Sequence, residues 1–183
     1  MSTGGYKIRN QEGIYFITFA VVEWIDVFSR KEYRDIVINS LIFCQEKKGL
    51  KIYAWVIMTN HVHFIFSVKE GNKLSEVLRD FKKFTSVKIL EAIQKNYSES
   101  RKEWMLEIFK KEGNKNKRNT VYQFWRQDNH PIELIDNNMI DQRLNYIHNN
   151  PVEAGIVEND FQYIYSSAKS YCGEVGLIKI ENL

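Results

Sequence analysis

The chain has 183 residues, enough for one domain with its own core and too few for two comfortable ones. Its hydrophobic fraction of 44% and charged fraction of 27% are ordinary for a globular protein, and only two prolines and nine glycines exclude a linker-rich or disordered chain. Net charge is only +3, but the segment from Arg79 to Arg118 holds twelve Lys/Arg against six Asp/Glu, a basic stretch on a slightly acidic body.

Read in chain order, MSTGGYKIRNQEG has no apolar run of the signal type, and nothing later approaches the length of a membrane span. The expected address is the cytoplasm. GIYFITFAVV (13–22) follows a glycine and is rich in β-branched and aromatic residues, which predicts a strand. Tyr33, Ile36, Val37, Leu41 and Cys44 recur at helical spacing over 31–49, and Lys47, Lys48 and Gly49 supply a stop. LKIYAWVIM (50–58) and HVHFIFSV (61–68) read as two strands of a hairpin. An amphipathic helix over 73–96 carries Leu74, Val77, Leu78, Phe81 and Phe84 on one side.

A further helix is expected over 98–113, then a basic loop, GNKNKRNT, and a short strand VYQFW (121–125). QDNHPIELID reads as irregular. The last well-marked helix covers 139–151, with Pro151 expected to end it close to Asn150, and the tail holds a short helix around YSSAKSYCG. Cys44 and Cys172 lack any CxxC or CxxH neighbour and are expected to be free thiols. This order predicts an α+β, ferredoxin-like split βαβ sandwich: one antiparallel sheet with helices packed mainly on one face. A single domain is expected, its core at about 14–158 and its tail at 159–183.

His61 and His63 stand two residues apart in a strand, so both rings project from one face while Val62 faces the other. Two neutral imidazoles at that separation can grip a divalent cation, or can be a buried pair whose ring nitrogens must find partners. HxH alone leaves both readings open. In RLNYIHNNPVEAG, Tyr146 and Asn150 are four apart and share one helical face. They present a phenol and an amide oxygen able to ligate a hard cation. His148 lies on roughly the opposite side, as a packing or capping residue.

WVIMTNHVHFIF, followed by FWRQDNHPIEL and RLNYIHNNPVEAGIV, resembles the HUH single-tyrosine transposases over about Ile14 to Tyr171. The branch it looks like is that of the REP-associated tyrosine transposases, relatives of small insertion-sequence transposases acting on single-stranded DNA. The resemblance implies that His61 and His63 are metal ligands, Tyr146 the nucleophile and Asn150 the third ligand. The chain departs at Met58-Thr59-Asn60, where many relatives have Met-Pro-Asn; this touches the turn and no ligand. A bacterial, nucleoid-associated enzyme is implied, with a divalent metal, Mg²⁺ or Mn²⁺, and single-stranded, hairpin-forming DNA as partner. Monomer and homodimer both remain open.

A phenol that attacks phosphorus and releases a 3′-OH keeps the bond's energy as a 5′-phosphotyrosine, so that strands can be rejoined. For substrate contacts the basic segment offers Arg79, Lys82, Lys83 and Ser86 at helical spacing opposite the apolar stripe, and Lys115, Lys117 and Arg118 in the loop. Trp125 is either a stacking platform for unpaired bases or a core residue. His130 either lines the site or shapes a turn. Two other classes fit parts of the pattern. One is a catalytically silent nucleic-acid-binding module; the other is a replication-initiator or relaxase-type HUH nickase, which usually carries further domains that 183 residues cannot hold.

Overall fold

Strand β1 (Tyr15–Ala20) leads through two 3₁₀ turns into helix α1 (Lys31–Lys48), and β2 (Leu50–Ile57) and β3 (His61–Val68) form a hairpin. Helices α2 (Leu74–Lys95) and α3 (Lys102–Asn114), strand β4 (Ile132–Glu133), helix α4 (Asn137–Glu153) and the short α5 (Ala168–Tyr171) complete the computed structural model, which describes residues 8–115, 121–127 and 129–183. The sheet runs β2-β3-β1-β4 with every pair antiparallel, the expected ferredoxin-like order.

Alternation divides each strand between two layers. Phe19 and Phe64 both meet Phe81 of α2, and that face carries the main core together with α1. Phe16, Thr18 and Ala20 lie opposite Ile65, His63 and His61 and share the other face, which α4 partly covers. α1 ends at Gly49, whose φ of 68° lets its N–H reach back to the Cys44 carbonyl. Both cysteines are free thiols, Cys44 buried and Cys172 exposed. Among the described residues no helix is long and apolar enough to cross a membrane.

Three expectations need correction. The strand expected over 121–125 is reduced to a single bridge, Trp125 with Val21, and the segment expected to be irregular supplies β4. Both belong to one interrupted edge beside β1. Arg126 N–H donates to the Ala20 carbonyl at one end, and Leu134 N–H to the Ile14 carbonyl at the other. Between them His130 takes a φ of 38° and Pro131 has no N–H to offer, so the ladder breaks. Helix α4 also runs through Pro151 to Glu153. Proline forfeits only its own backward bond, and Ala154 N–H still reaches the Asn150 carbonyl at 3.0 Å before Gly155 turns the chain.

The tail closes the outer side of β2. Ile57 N–H donates to the Tyr165 carbonyl and Ser167 N–H to the Trp55 carbonyl, both at 2.9 Å. An exposed row of strand donors and acceptors is thereby paired.

Away from the sheet, Glu99 is buried between Arg30 (2.5 Å) and Arg101 (3.1 Å), tying the start of α1 to the α2–α3 turn. Burial alone would raise its carboxyl, but hydrogen bonds from Arg101 and Arg30 overcome that and hold it down to about 2. A depressed carboxylate stabilises the fold fully above its ordinary value of 4.5, and that contribution is lost as pH falls toward about 2. Glu99→Gln should therefore cost about 2 kcal/mol at pH 7. Urea unfolding at pH 7 and pH 3 should show the gap between variant and wild type narrowing in acid.

Candidate active site

The site begins with how β3 is entered. The Met58-Thr59-Asn60 link closes with Met58 N–H on the His61 carbonyl at 2.9 Å, so His61 is the first strand residue and His63 falls on the same face. Their ring centroids are 4.7 Å apart at 72°. Across the β1 ladder His61 meets the small Ala20, and His63 meets Thr18, whose hydroxyl lies 2.7 Å from His63 Nδ1. Phe16 stacks on His63 at 5.4 Å. Asn60 fixes the other ring: its Oδ1 is 2.6 Å from His61 Nδ1, while its Nδ2 donates to the Trp24 carbonyl.

With its amide nitrogen committed to Trp24, Asn60 offers His61 an acceptor, so His61 Nδ1 carries the proton and Nε2 the lone pair. His63 is 4% exposed, and its Nε2 is buried without a hydrogen-bond partner. Burial is the main force lowering both imidazoles. His63 is pushed down to about 3, with the charges of His61 and Arg143 adding to burial; His61 is lowered less, opposed by the Asn150 side chain. Both rings are thus held neutral, the form that ligates metal.

Helix α4 supplies the opposite wall. Asp136 caps it by accepting from Met139 N–H, and Ile147 buries the inner side. His148 is also buried, its Nε2 2.9 Å from Ser167 Oγ, so it packs the helix against the tail as expected of a packing residue. That orientation leaves Arg143, Tyr146 and Asn150 along the face turned to the histidines. Tyr146 stands edge-on to His63 at 5.1 Å between centroids and is 41% exposed, so its phenol is reachable from solvent. Asn150 Nδ2 donates to the Tyr146 carbonyl at 3.0 Å, which turns the amide oxygen toward the His61 side of the site. Arg143 lies over Phe16 at 4.9 Å.

Among the described residues no group of three His, Cys, Asp or Glu could hold a metal. A cation held here would take two imidazoles and one amide oxygen. The orphaned His63 Nε2, the free lone pair of His61 and the Asn150 oxygen form such a set, borderline in softness and suited to Mn²⁺ as well as Mg²⁺. Three such donors would leave further coordination positions open.

The basic residues are dispersed. Lys82, Lys83 and Ser86 of α2 line a groove of about 430 Å³ with Trp125 and Arg126. Lys82 also donates to the Arg126 carbonyl at 2.9 Å and to Asn129 Oδ1 at 2.6 Å, tying the groove's two walls together. Trp125 is a core residue. It is 4% exposed among Phe19, Phe28 and Phe124, and its indole N–H donates to Thr85 Oγ1, so the ring is not offered to a base. Arg79 pairs with Asp80 outside the groove, and Lys115 pairs with Glu112 in a neighbouring cleft. Lys117 and Arg118 lie outside the described residues. The sequence reading missed Arg143, although its i−3 spacing from Tyr146 could have found it. It also passed over Thr18 and Trp24, which only the ladder and the turn bring to the histidines.

Three comparisons bear on this arrangement. The family model described as "Transposase IS200 like" matches residues 14–112, from β1 through most of α3, with both histidines inside it and α4 beyond it. No curated protein matches the chain. A REP-associated tyrosine transposase, solved bound to a REP hairpin, shares the fold with a TM-score of 0.66 at 16% identity, covering 98% of this chain and 92% of that one. A crystal structure of a transposase-like protein from Deinococcus radiodurans R1 aligns with a TM-score of 0.45 at 16% identity, covering 81% of this chain and 97% of that one.

The donor set predicts a binding result that needs no DNA. Mn²⁺ at about 100 times its Kd should add about 2.7 kcal/mol to stability. The shift should weaken less on going to pH 6 than ordinary imidazoles would dictate, because burial lowers both rings. Thermal unfolding with and without Mn²⁺ measures it, and His63→Ala should abolish the shift.

Proposed function

The chain belongs to the IS200-like transposase family, and from that premise we propose that it cuts and rejoins single-stranded DNA through Tyr146. The observation that carries this reading is the convergence of four side chains from two distant segments. Tyr146 lies against His63 while Asn150 reaches His61. The fold shared with a REP-associated tyrosine transposase bound to a REP hairpin supports hairpin-forming DNA as the substrate.

Tyr146 Oη attacks the scissile phosphorus, the bond to the 3′ oxygen breaks, and a 5′-phosphotyrosine forms. The proton lost by the phenol balances the one gained by the departing 3′-OH. Attack by a second 3′-OH reverses the exchange and joins a new strand without an external energy source. His61, His63 and Asn150 would hold Mg²⁺ or Mn²⁺, which when bound supplies positive charge and orientation to the phosphate oxygens. Phe16 buttresses the Tyr146 ring at 5.9 Å and keeps the phenol on the histidine side. Arg143, one turn before Tyr146, adds a fixed cation beside the attack position, where charge develops on the phosphoryl group. Lys82, Lys83 and Ser86 supply contacts to the strand's phosphates along the groove.

Incubation with a 3′-labelled, single-stranded hairpin oligonucleotide and Mn²⁺ should leave a covalent protein–DNA band on a denaturing gel, because the 5′-phosphotyrosine retains the downstream fragment. Tyr146→Phe should abolish that band while holding affinity within about threefold. A band that survives Tyr146→Phe sinks the assignment of the nucleophile. Tight hairpin binding with no metal dependence and no band from the wild type points instead to a silent binding module. Arg143→Ala should slow formation of the band by about 10²–10³-fold, with Arg143→Lys recovering part of the rate in the same single-turnover assay.

A further inference from the structure

Beside His61 lies a feature that the cleavage chemistry does not use. The 3₁₀ turn Val22–Trp24 places two consecutive non-glycine residues in the left-handed region, Glu23 at φ 51° and Trp24 at φ 54°. Such backbone persists only where its surroundings hold it. Here Val22 and Ile25 are buried on either side, Trp24 N–H donates to the Val21 carbonyl, and Asn60 Nδ2 donates to the Trp24 carbonyl. The turn lifts the indole out of the core. Trp24 is 51% exposed, whereas Trp55 and Trp125 are buried.

The indole's surroundings suit a nucleotide. Its edge meets His61 at 5.9 Å, and the Arg126 guanidinium lies 5.3 Å from its ring centre. It lines a cleft of about 570 Å³ with Lys115, Gln123, Arg126 and Gln127, next to the Lys82–Lys83 groove that Arg126 also borders. Glu23 and Glu112 share that cleft, with Glu112 already paired to Lys115. Asn60 joins the two regions, because one amide holds both the His61 ring and the Trp24 backbone.

We propose that Trp24, flanked by Arg126, is a nucleobase-binding subsite that stacks an unpaired base next to the scissile phosphate, on the side of the histidines away from Tyr146. This rests on the proposed action on single-stranded DNA. Stacking on an indole tolerates any base, since each has a π-face. A base that takes the guanidinium's place on the ring leaves Arg126 to pair with the adjoining phosphate. The strand then runs from Tyr146 across the histidines and over Trp24 into the cationic groove.

The test uses the full chain carrying Tyr146→Phe, so that binding is read without cleavage, and a fluorescein-labelled hairpin oligonucleotide with oligo-dT flanks. Single abasic sites are moved through the flanks and affinity is read by anisotropy. Trp24→Ala should weaken binding about 5- to 100-fold and Trp24→Phe should recover most of it. At one flanking position an abasic site should weaken binding to the Trp24 protein and leave the Trp24→Ala protein unchanged, the non-additivity of a direct contact. A loss of similar size at every position, or none at any, overturns the subsite while leaving the transposase reading intact. Failure of the Trp24 protein to bind the oligonucleotide sinks that reading, and the subsite with it.

Discussion

β3 lies in the middle of the sheet, bonded to β2 on one side and β1 on the other, and its side chains must serve two layers at once. Val62, Phe64 and Phe66 go into the core, where Phe64 meets Phe81 of α2. His61 and His63 go to the layer beneath α4. A slip of one residue would exchange the two sets, burying imidazoles among phenylalanines and turning Val62, Phe64 and Phe66 to the layer beneath α4. The same apolar burial that stabilises the fold therefore holds the histidine register. The histidines are thus carried by a strand paired on both sides.

Holding the rings this way carries a cost that is met unevenly. His61 has Asn60 at Nδ1 and keeps its Nε2 lone pair beside the Asn150 side chain. His63 has Thr18 at Nδ1 and nothing at Nε2. A buried donor or acceptor without a partner costs about 1–3 kcal/mol. Glu99 offers the contrast, since every element around it converges to satisfy its charge. The unmet nitrogen, in a wall that also presents an amide oxygen and an accessible phenol, is the feature on which the proposed metal site rests.

Much of this was legible from residue order. The period-two placement of His61 and His63 and the four-residue spacing of Tyr146 and Asn150 needed only the geometry of strands and helices. Joining those two pairs across some eighty residues needed the family resemblance, because no local pattern says which helix faces which strand. The edge beside β1 was misread for a physical reason. Its two halves are separated by His130 and Pro131, and a strand of two residues has no period to detect. Pro151 misled because local rules treat it alone, whereas neighbouring N–H groups carry α4 three residues further. Trp125 had the composition of a stacking residue, and only its packing against Phe19 and Phe28 settles that it is core. Trp24 could not be singled out at all, since its exposure comes from a backbone conformation that side-chain identity does not announce.

The tail along β2 reaches further than the strand it covers. Ser167 Oγ lies 2.9 Å from both the Trp55 backbone nitrogen and His148 Nε2, so one hydroxyl touches the sheet and the helix that bears Tyr146. Tyr171 adds an edge contact to His148 and a hydrogen bond to the Tyr53 carbonyl. α4 is thus located against the sheet by a third body, much as a shim sets the spacing of two plates. The distance between phenol and imidazoles depends on a stretch of chain that touches neither, and sequence drift in this tail would retune the gap without altering a single residue inside it.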